Sequence, residues 1–100
     1  MEAILHIALQ EGFDEDAVAV SINGTELYRK EQVTTDLRIG LADSFETSIQ
    51  EGPITIKVHL PQQNLSESID VQFARSIYVA VSKLNGSIRF KVSDHPFGYL

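Results

Sequence analysis

The sequence predicts an all-β protein, an antiparallel sandwich of two sheets with about seven to nine strands and at most one short helix. Three observations carry that expectation. Apolar residues recur with period two along nearly the whole 100-residue chain. The alternating runs are separated by Gly, Pro, Asn and Asp. Two of them fold about an Asn-Gly pair, in VAVSINGTELYR (18–29) and VAVSKLNGSIRFKV (79–92). Period two turns successive side chains to opposite faces, as in a strand with one face buried. So many strands in so short a chain bury their apolar faces by packing two sheets together.

The strands follow in order. Ala3, Leu5, Ile7 and Leu9 alternate with Ile4, His6 and Ala8. Val18, Val20 and Ile22 alternate with Ala17, Ala19 and Ser21, and Asn23-Gly24 then tolerates the positive φ angles of a type I′ turn. Centring the turn there places Ile22 opposite Thr25 and Val20 opposite Leu27. Val33, Thr35, Leu37, Ile39 and Leu41 alternate next, and predict a strand. ADSFETSIQEG divides the signals: Asp43, Glu46 and Gly52 read as helix start and stop, whereas Phe45, Thr47 and Ile49 alternate. A strand is preferred there, with a short helix as the alternative. Ile54, Ile56, Val58 and Leu60 form a long alternating run, followed by Ile69, Val71 and Phe73. Ile77, Val79 and Val81 lead to Asn85-Gly86, which places Val81 opposite Phe90 and Val79 opposite Val92. A one-residue slip would turn either hairpin's apolar set outward, so the turns lock register.

Length and composition bound the rest. One hundred residues make a single domain, 1–100, long enough for a core without staples. There are no cysteines, so disulfides and thiolate metal sites are excluded. No apolar run reaches the roughly 18 residues of a membrane helix, and no basic region precedes a hydrophobic one at the N-terminus. The expectation is a soluble, cytoplasmic protein away from membranes. Eight Lys plus Arg stand against fourteen Asp plus Glu, and the net charge of −6 repels phosphate backbones. Arg29-Lys30 is the one adjacent basic pair, so nucleic acid is not an expected partner.

Chemistry-bearing constellations are sparse. His6, His59 and His95 lack the i, i+2 or i, i+4 spacing of a metal pair, and no cofactor is expected. Asp14, Glu15 and Asp16 gather carboxylates in one loop, a weak calcium candidate beside the commoner reading of a solvated acidic turn. No Gly-x-Ser-x-Gly elbow appears, which points away from an enzyme.

The order VAVSING, TTDLRI and EGPITIKVHL resembles small prealbumin-like (transthyretin-like) β-sandwich modules, including the PEGA-like kind, over residues 18–60. The resemblance implies a prealbumin-like fold and a role as a binding or spacer module. One enzymatic branch of that fold hydrolyses an oxidised purine and closes on Tyr-Arg-Gly-Ser. This chain closes on HPFGYL, which departs from that ending and puts the activity in doubt.

The outward strand positions carry the functional expectation. Ile4, Ala8, Ala17, Ala19, Tyr28, Tyr78 and Ala80 alternate with core residues yet are apolar or aromatic. A contiguous apolar face marks an interaction site. Ile4, Ala19, Tyr28 and Tyr78, with Phe97 and Tyr99 of the tail, are therefore the candidate interface. The tail is expected to fold back over the protein itself, the alternative being docking into a neighbour. A non-enzymatic protein-interaction or self-assembly module is the expected function, with a protein partner or a homo-oligomer. The alternative is a sandwich binding carbohydrate or another small ligand on its tyrosines.

Overall fold

Eight strands in two four-stranded sheets make up the computed structural model, which describes residues 2–97. They are β1 (Glu2–Leu9), β2 (Asp16–Ile22), β3 (Thr25–Val33), β4 (Asp43–Gln50), β5 (Gly52–Leu60), β6 (Leu65–Phe73), β7 (Ile77–Leu84) and β8 (Ser87–Ser93). Sheet A has the order β4-β1-β7-β8 and sheet B the order β3-β2-β5-β6. All pairings are antiparallel except β1 with β7. The expected all-β sandwich is thus observed. Among the described residues the only helical element is a 3₁₀ turn at Pro61–Gln63, and no helix is long and apolar enough to cross a membrane.

The core lies between the sheets, where the alternation of both meets. Leu5, Ile7, Leu9, Val79 and Val81 of sheet A face Val18, Val20, Ile56, Val58, Leu60 and Phe73 of sheet B, all fully buried. Each such side chain contributes about 1.5–3 kcal/mol by leaving water. The disputed segment 43–50 is a strand, with Phe45, Thr47 and Ile49 half-buried and their neighbours exposed. Pairing with β1 over eight positions, from Leu9↔Asp43 to Glu2↔Gln50, outweighs its helix-like caps. The chain then crosses from sheet A to sheet B within one residue, Glu51. Gly52 permits this at φ 138°, a conformation side-chain-bearing residues avoid.

The Asn85-Gly86 hairpin has the expected register, Val81↔Phe90 and Val79↔Val92. The Asn23-Gly24 hairpin keeps it only for Ile22↔Thr25 and Ser21↔Glu26. One extra residue, Leu27, then bulges out of β3, so that Val20 faces Tyr28 rather than Leu27. Because side chains alternate, that residue exchanges the two faces of the strand. Leu27 is left 43% exposed and Tyr28 turns into the sandwich. A second bulge before Val33 places Gln32 at φ 57°.

The strand expected over Val33–Leu41 is also corrected. β3 ends at Val33, and the segment beyond folds into a turn closed by one bridge, Asp36↔Leu41. Asp36 competes with strand pairing. Its backbone carbonyl accepts the Ile39 and Gly40 N–H groups, while its carboxylate accepts the Arg38 N–H and guanidinium. Leu37 is left 92% exposed at the tip.

The sandwich has two open sides, each flanked by an edge strand from either sheet. On the β3/β4 side the Tyr28 ring stacks on Phe45 at 4.7 Å, and its hydroxyl donates to Asp43 Oδ2 at 2.8 Å. Lys30 reaches the same carboxylate oxygen at 3.4 Å. Burial would raise the Asp43 pKa, but the Tyr28 hydroxyl, the Ser44 N–H and Lys30 outweigh it and hold the carboxyl below its usual range. Burial first, then the bond and charge of Asp43, push the Tyr28 phenol well above its ordinary value.

Candidate functional site

The outer face of sheet A is built in transverse rows set by register. Glu46, His6, Tyr78 and Ser93 form one row across β4, β1, β7 and β8. Ser44, Ala8, Ala80 and Lys91 form the next. The first row is bulky and the second has two alanines at its centre, so the surface steps down between them. A cleft of about 400 Å³ occupies the step, lined by His6, Ala8, Ser44, Glu46 and Tyr78, with Pro96 and Phe97 as its far wall.

The tail reaches that wall because the chain reverses after β8. The Ser93 hydroxyl accepts the His95 N–H at 3.2 Å and donates to the His95 carbonyl at 2.9 Å. Asp94 meets the His95 ring at 2.8 Å and Arg75 at 3.6 Å, and both hold its carboxyl below the usual range. Phe97 then lies with its ring centroid 5.9 Å from the Lys91 ammonium, within cation–π reach. Pro96 and Phe97 thus lie against the outer face of sheet A, whereas Tyr99 and Leu100, on which the expected fold-back also rests, lie outside the described residues.

Within the cleft, His6 is held from two directions. Its Nδ1 lies 2.8 Å from Glu46 Oε2, and its ring stacks on Tyr78 at 4.2 Å with an interplanar angle of 15°. The carboxylate and the neighbouring ring fix the imidazole plane. The Glu46 side chain is nevertheless 67% exposed. A carboxylate so well hydrated orients an imidazole without the buried setting in which a hydrolytic triad's carboxylate stabilises an imidazolium. The cleft offers the stacked His6–Tyr78 pair, the Ala8 methyl and the Glu46 carboxylate, a set suited to holding a flat or ring-bearing group. Its volume falls in the range of ligand clefts, about 300–1,000 Å³.

The candidate interface residues divide by location. Tyr78 and Phe97 line the cleft, and Ile4 lies on the same face, half-buried, with its N–H donating to Ser76 Oγ. Ala19 belongs to the outer face of sheet B and is buried between Arg29 and His59, so it is no part of an exposed patch. Tyr28 faces inward, because of the Leu27 bulge. Tyr99 lies outside the described residues. Ala80 and Ala17 are also buried. Beside Ala17 the 3₁₀ turn brings Gln62, whose Oε1 accepts the Ala17 N–H.

The acidic loop does not bring its three carboxylates together. Asp16 is buried and accepts from Lys83 Nζ at 3.1 Å, the Gln63 amide and the Asp14 N–H. Its carboxylate thereby ties β2 of sheet B to β7 of sheet A. The Asp14 and Glu15 side chains are exposed, and Glu15 adopts φ 51°. Among the described residues no group of three or more His, Cys, Asp or Glu is placed to hold a metal ion.

His6, weighed in the sequence only as a metal ligand, and Glu46 are the site residues whose pairing sequence reasoning missed. The signal for His6 was its outward place in an alternating strand. Its partners come from segments some 40 and 70 residues away, and only β1–β4 and β1–β7 register supplies them. No protein-family model matches this chain, and no curated protein is significantly similar to it.

Proposed function

We propose that this domain is a non-catalytic interaction module whose binding site is the cleft on the outer face of sheet A. One observation carries the reading. An outer sheet face, ordinarily polar, holds a step of about 400 Å³ lined by His6, Tyr78, Ala8 and Phe97. The occupant it suits is an aromatic side chain of a protein partner, stacking on the His6–Tyr78 pair with its edge toward Glu46. The Glu46 carboxylate accepts hydrogen bonds and the Lys91 ammonium at the rim donates them, so the partner group is polar at its margin.

A prealbumin-like arrangement is part of this proposal. Its support is the pair of four-stranded sheets, each combining early and late strands, with β1 parallel to β7. The immunoglobulin constant type instead divides seven strands into four and three. A second reading, binding of a carbohydrate, is favoured by an aromatic ring, Tyr78, and a carboxylate, Glu46, lining the same cleft. The separation of Tyr28 from Tyr78 removes the two-tyrosine platform from it.

Titration with tyrosine amide, followed by proton–nitrogen and aromatic NMR spectra, tests the reading. Tyrosine amide is expected to shift the His6 and Tyr78 resonances and to lose that effect in Tyr78→Ala. Maltose and cellobiose serve as the competing probes. Shifts at His6 with a sugar alone would favour the second reading, and no shift with any probe would overturn both.

A further inference from the structure

The two Asn-Gly turns hold a reactive pair of groups as well as a folding signal. An asparagine carboxamide and the N–H of the next residue close a five-membered ring when they meet. Glycine in the second place obstructs that approach least, because it has no Cβ. Both asparagines are exposed and at positive φ, 51° at Asn23 and 52° at Asn85, and the space around Gly24 and Gly86 is open. Thr25 and Ser87 follow, so by sequence the two sites are alike. The remaining asparagine, Asn64, precedes Leu65, whose side chain crowds the ring.

The fold makes the two turns unlike. Asn23 is tied twice to Thr55 of β5. Its N–H donates to the Thr55 carbonyl at 3.0 Å, and the Thr55 N–H donates to its Oδ1 at 2.9 Å. Thr55 is itself held, since its hydroxyl donates to Asp70 Oδ1 at 2.7 Å and its backbone pairs with Asp70 in β6. The Asn23 carboxamide therefore turns toward the Gly24 nitrogen only by breaking its bond to Thr55. Asn85 has no such anchor. It joins β7 to the edge strand β8, beyond the point where β1 leaves β7 at Leu9↔Val81. The last tie before the tip is the Lys83 N–H, which donates to the Glu11 carbonyl at 2.8 Å. Residues 84–87 are all exposed, and among the described residues the Asn85 side chain and the Gly86 N–H have no hydrogen-bond partner.

We propose that Asn85 is a site of spontaneous deamidation and that Asn23 is its protected counterpart. The Gly86 nitrogen attacks Cγ of Asn85. The proton of that N–H passes through solvent to the departing nitrogen, the Cγ–N bond breaks and ammonia leaves. One water then adds at either carbonyl of the succinimide, giving an aspartyl or an isoaspartyl residue at position 85, with no oxidant or reductant involved. Both products add a negative charge to the hairpin. The isoaspartyl form also lengthens the main chain by a methylene, in a two-residue turn that has no slack. The β7–β8 register starts from that link, and β8 leads on to Lys91 and Phe97 beside the cleft. Binding in the cleft and reaction at the turn do not depend on each other.

Peptide mapping by mass spectrometry tests this on the folded chain held at mildly alkaline pH, beside the same chain unfolded in guanidinium chloride. In the unfolded chain both Asn-Gly sites are expected to gain one mass unit at similar rates. In the folded chain Asn85 is expected to convert while Asn23 lags about ten-fold, because its hydrogen bonds to Thr55 must open first. Chromatography of the Asn85 peptide is expected to separate aspartyl and isoaspartyl forms, which only the ring yields together. Equal rates at the two folded sites, faster conversion at Asn23, an Asn85 that reacts only when unfolded, or an aspartyl product alone would overturn the proposal. None of these results bears on the cleft titration.

Discussion

The two open sides of the sandwich solve the same problem differently. On the β3/β4 side a bulge at Leu27 turns Tyr28 inward, and its ring covers Phe45 while its hydroxyl ends on Asp43. That side is closed by an aromatic stack and a charge-assisted hydrogen bond from a side chain of the other sheet. On the β6/β8 side neither edge strand contains a bulge, and Phe90, Val92, Ile69 and Val71 stay partly in water. One inserted residue separates a sealed edge from an unsealed one. An edge is made safe by its irregularities or by what covers it: β4 is as regular as β6, and its side is sealed because the bulge in β3 turns Tyr28 onto Phe45.

Placing the same charge on each side should break this comparison most visibly. Tyr28→Glu sets a carboxylate against Phe45 and beside Asp43, and is expected to cost about 3–4 kcal/mol, by the burial of an unpaired charge. Val92→Glu, at a position 44% exposed, is expected to cost less than about 1 kcal/mol. Urea unfolding of the two variants beside the unsubstituted chain measures the difference. Equal losses would mean that the two sides are sealed alike.

A smaller effect follows from the pKa directions on the closed side. The Tyr28 phenol is raised in the folded chain, so its contribution is complete below its unfolded value of about 10 and is lost as pH climbs toward the folded value. The Asp43 carboxyl is lowered, so its contribution is present above about 4 and is lost as pH falls through the folded value. Tyr28→Phe removes both the raised group and one of the bonds that lower Asp43. Its melting temperature should therefore vary less at either extreme, alkaline or acidic, than that of the unsubstituted chain. Parallel curves for the two proteins would show that the Tyr28–Asp43 bond does not form.

What the sequence made legible was local. Alternation identified every observed strand but β3, which only its turn announced, and Asn85-Gly86 fixed the β7–β8 register through to Val79↔Val92, because a two-residue turn leaves the following pairs little freedom. The same reasoning at Asn23-Gly24 failed after two pairs. A bulge leaves no periodic trace when polar and apolar residues mix, as they do in TELYRKEQV. TTDLRIGL alternates as well as any strand, yet Asp36 satisfies the backbone locally and strand pairing loses.

The cleft was half visible. Tyr78 and Phe97 stood out as apolar residues where polar ones are expected, but they meet only because the tail reverses at Ser93. The His6–Glu46 contact depends on which strand lies beside β1, and turns and periods do not encode that choice. Tyr28 and Ala19 were misplaced for the same kind of reason. The first depends on a bulge, and the second on the Arg29 and His59 side chains flanking it in the neighbouring strands.

Amide hydrogen exchange of the unsubstituted chain beside Tyr28→Ala tests the contrast between the two sides most directly. The substitution is expected to speed exchange along Asp43–Gln50 and to leave Leu65–Phe73 unchanged, because Tyr28 seals only the β3/β4 side. Unchanged exchange along β4, or equal losses along β4 and β6, would contradict the account.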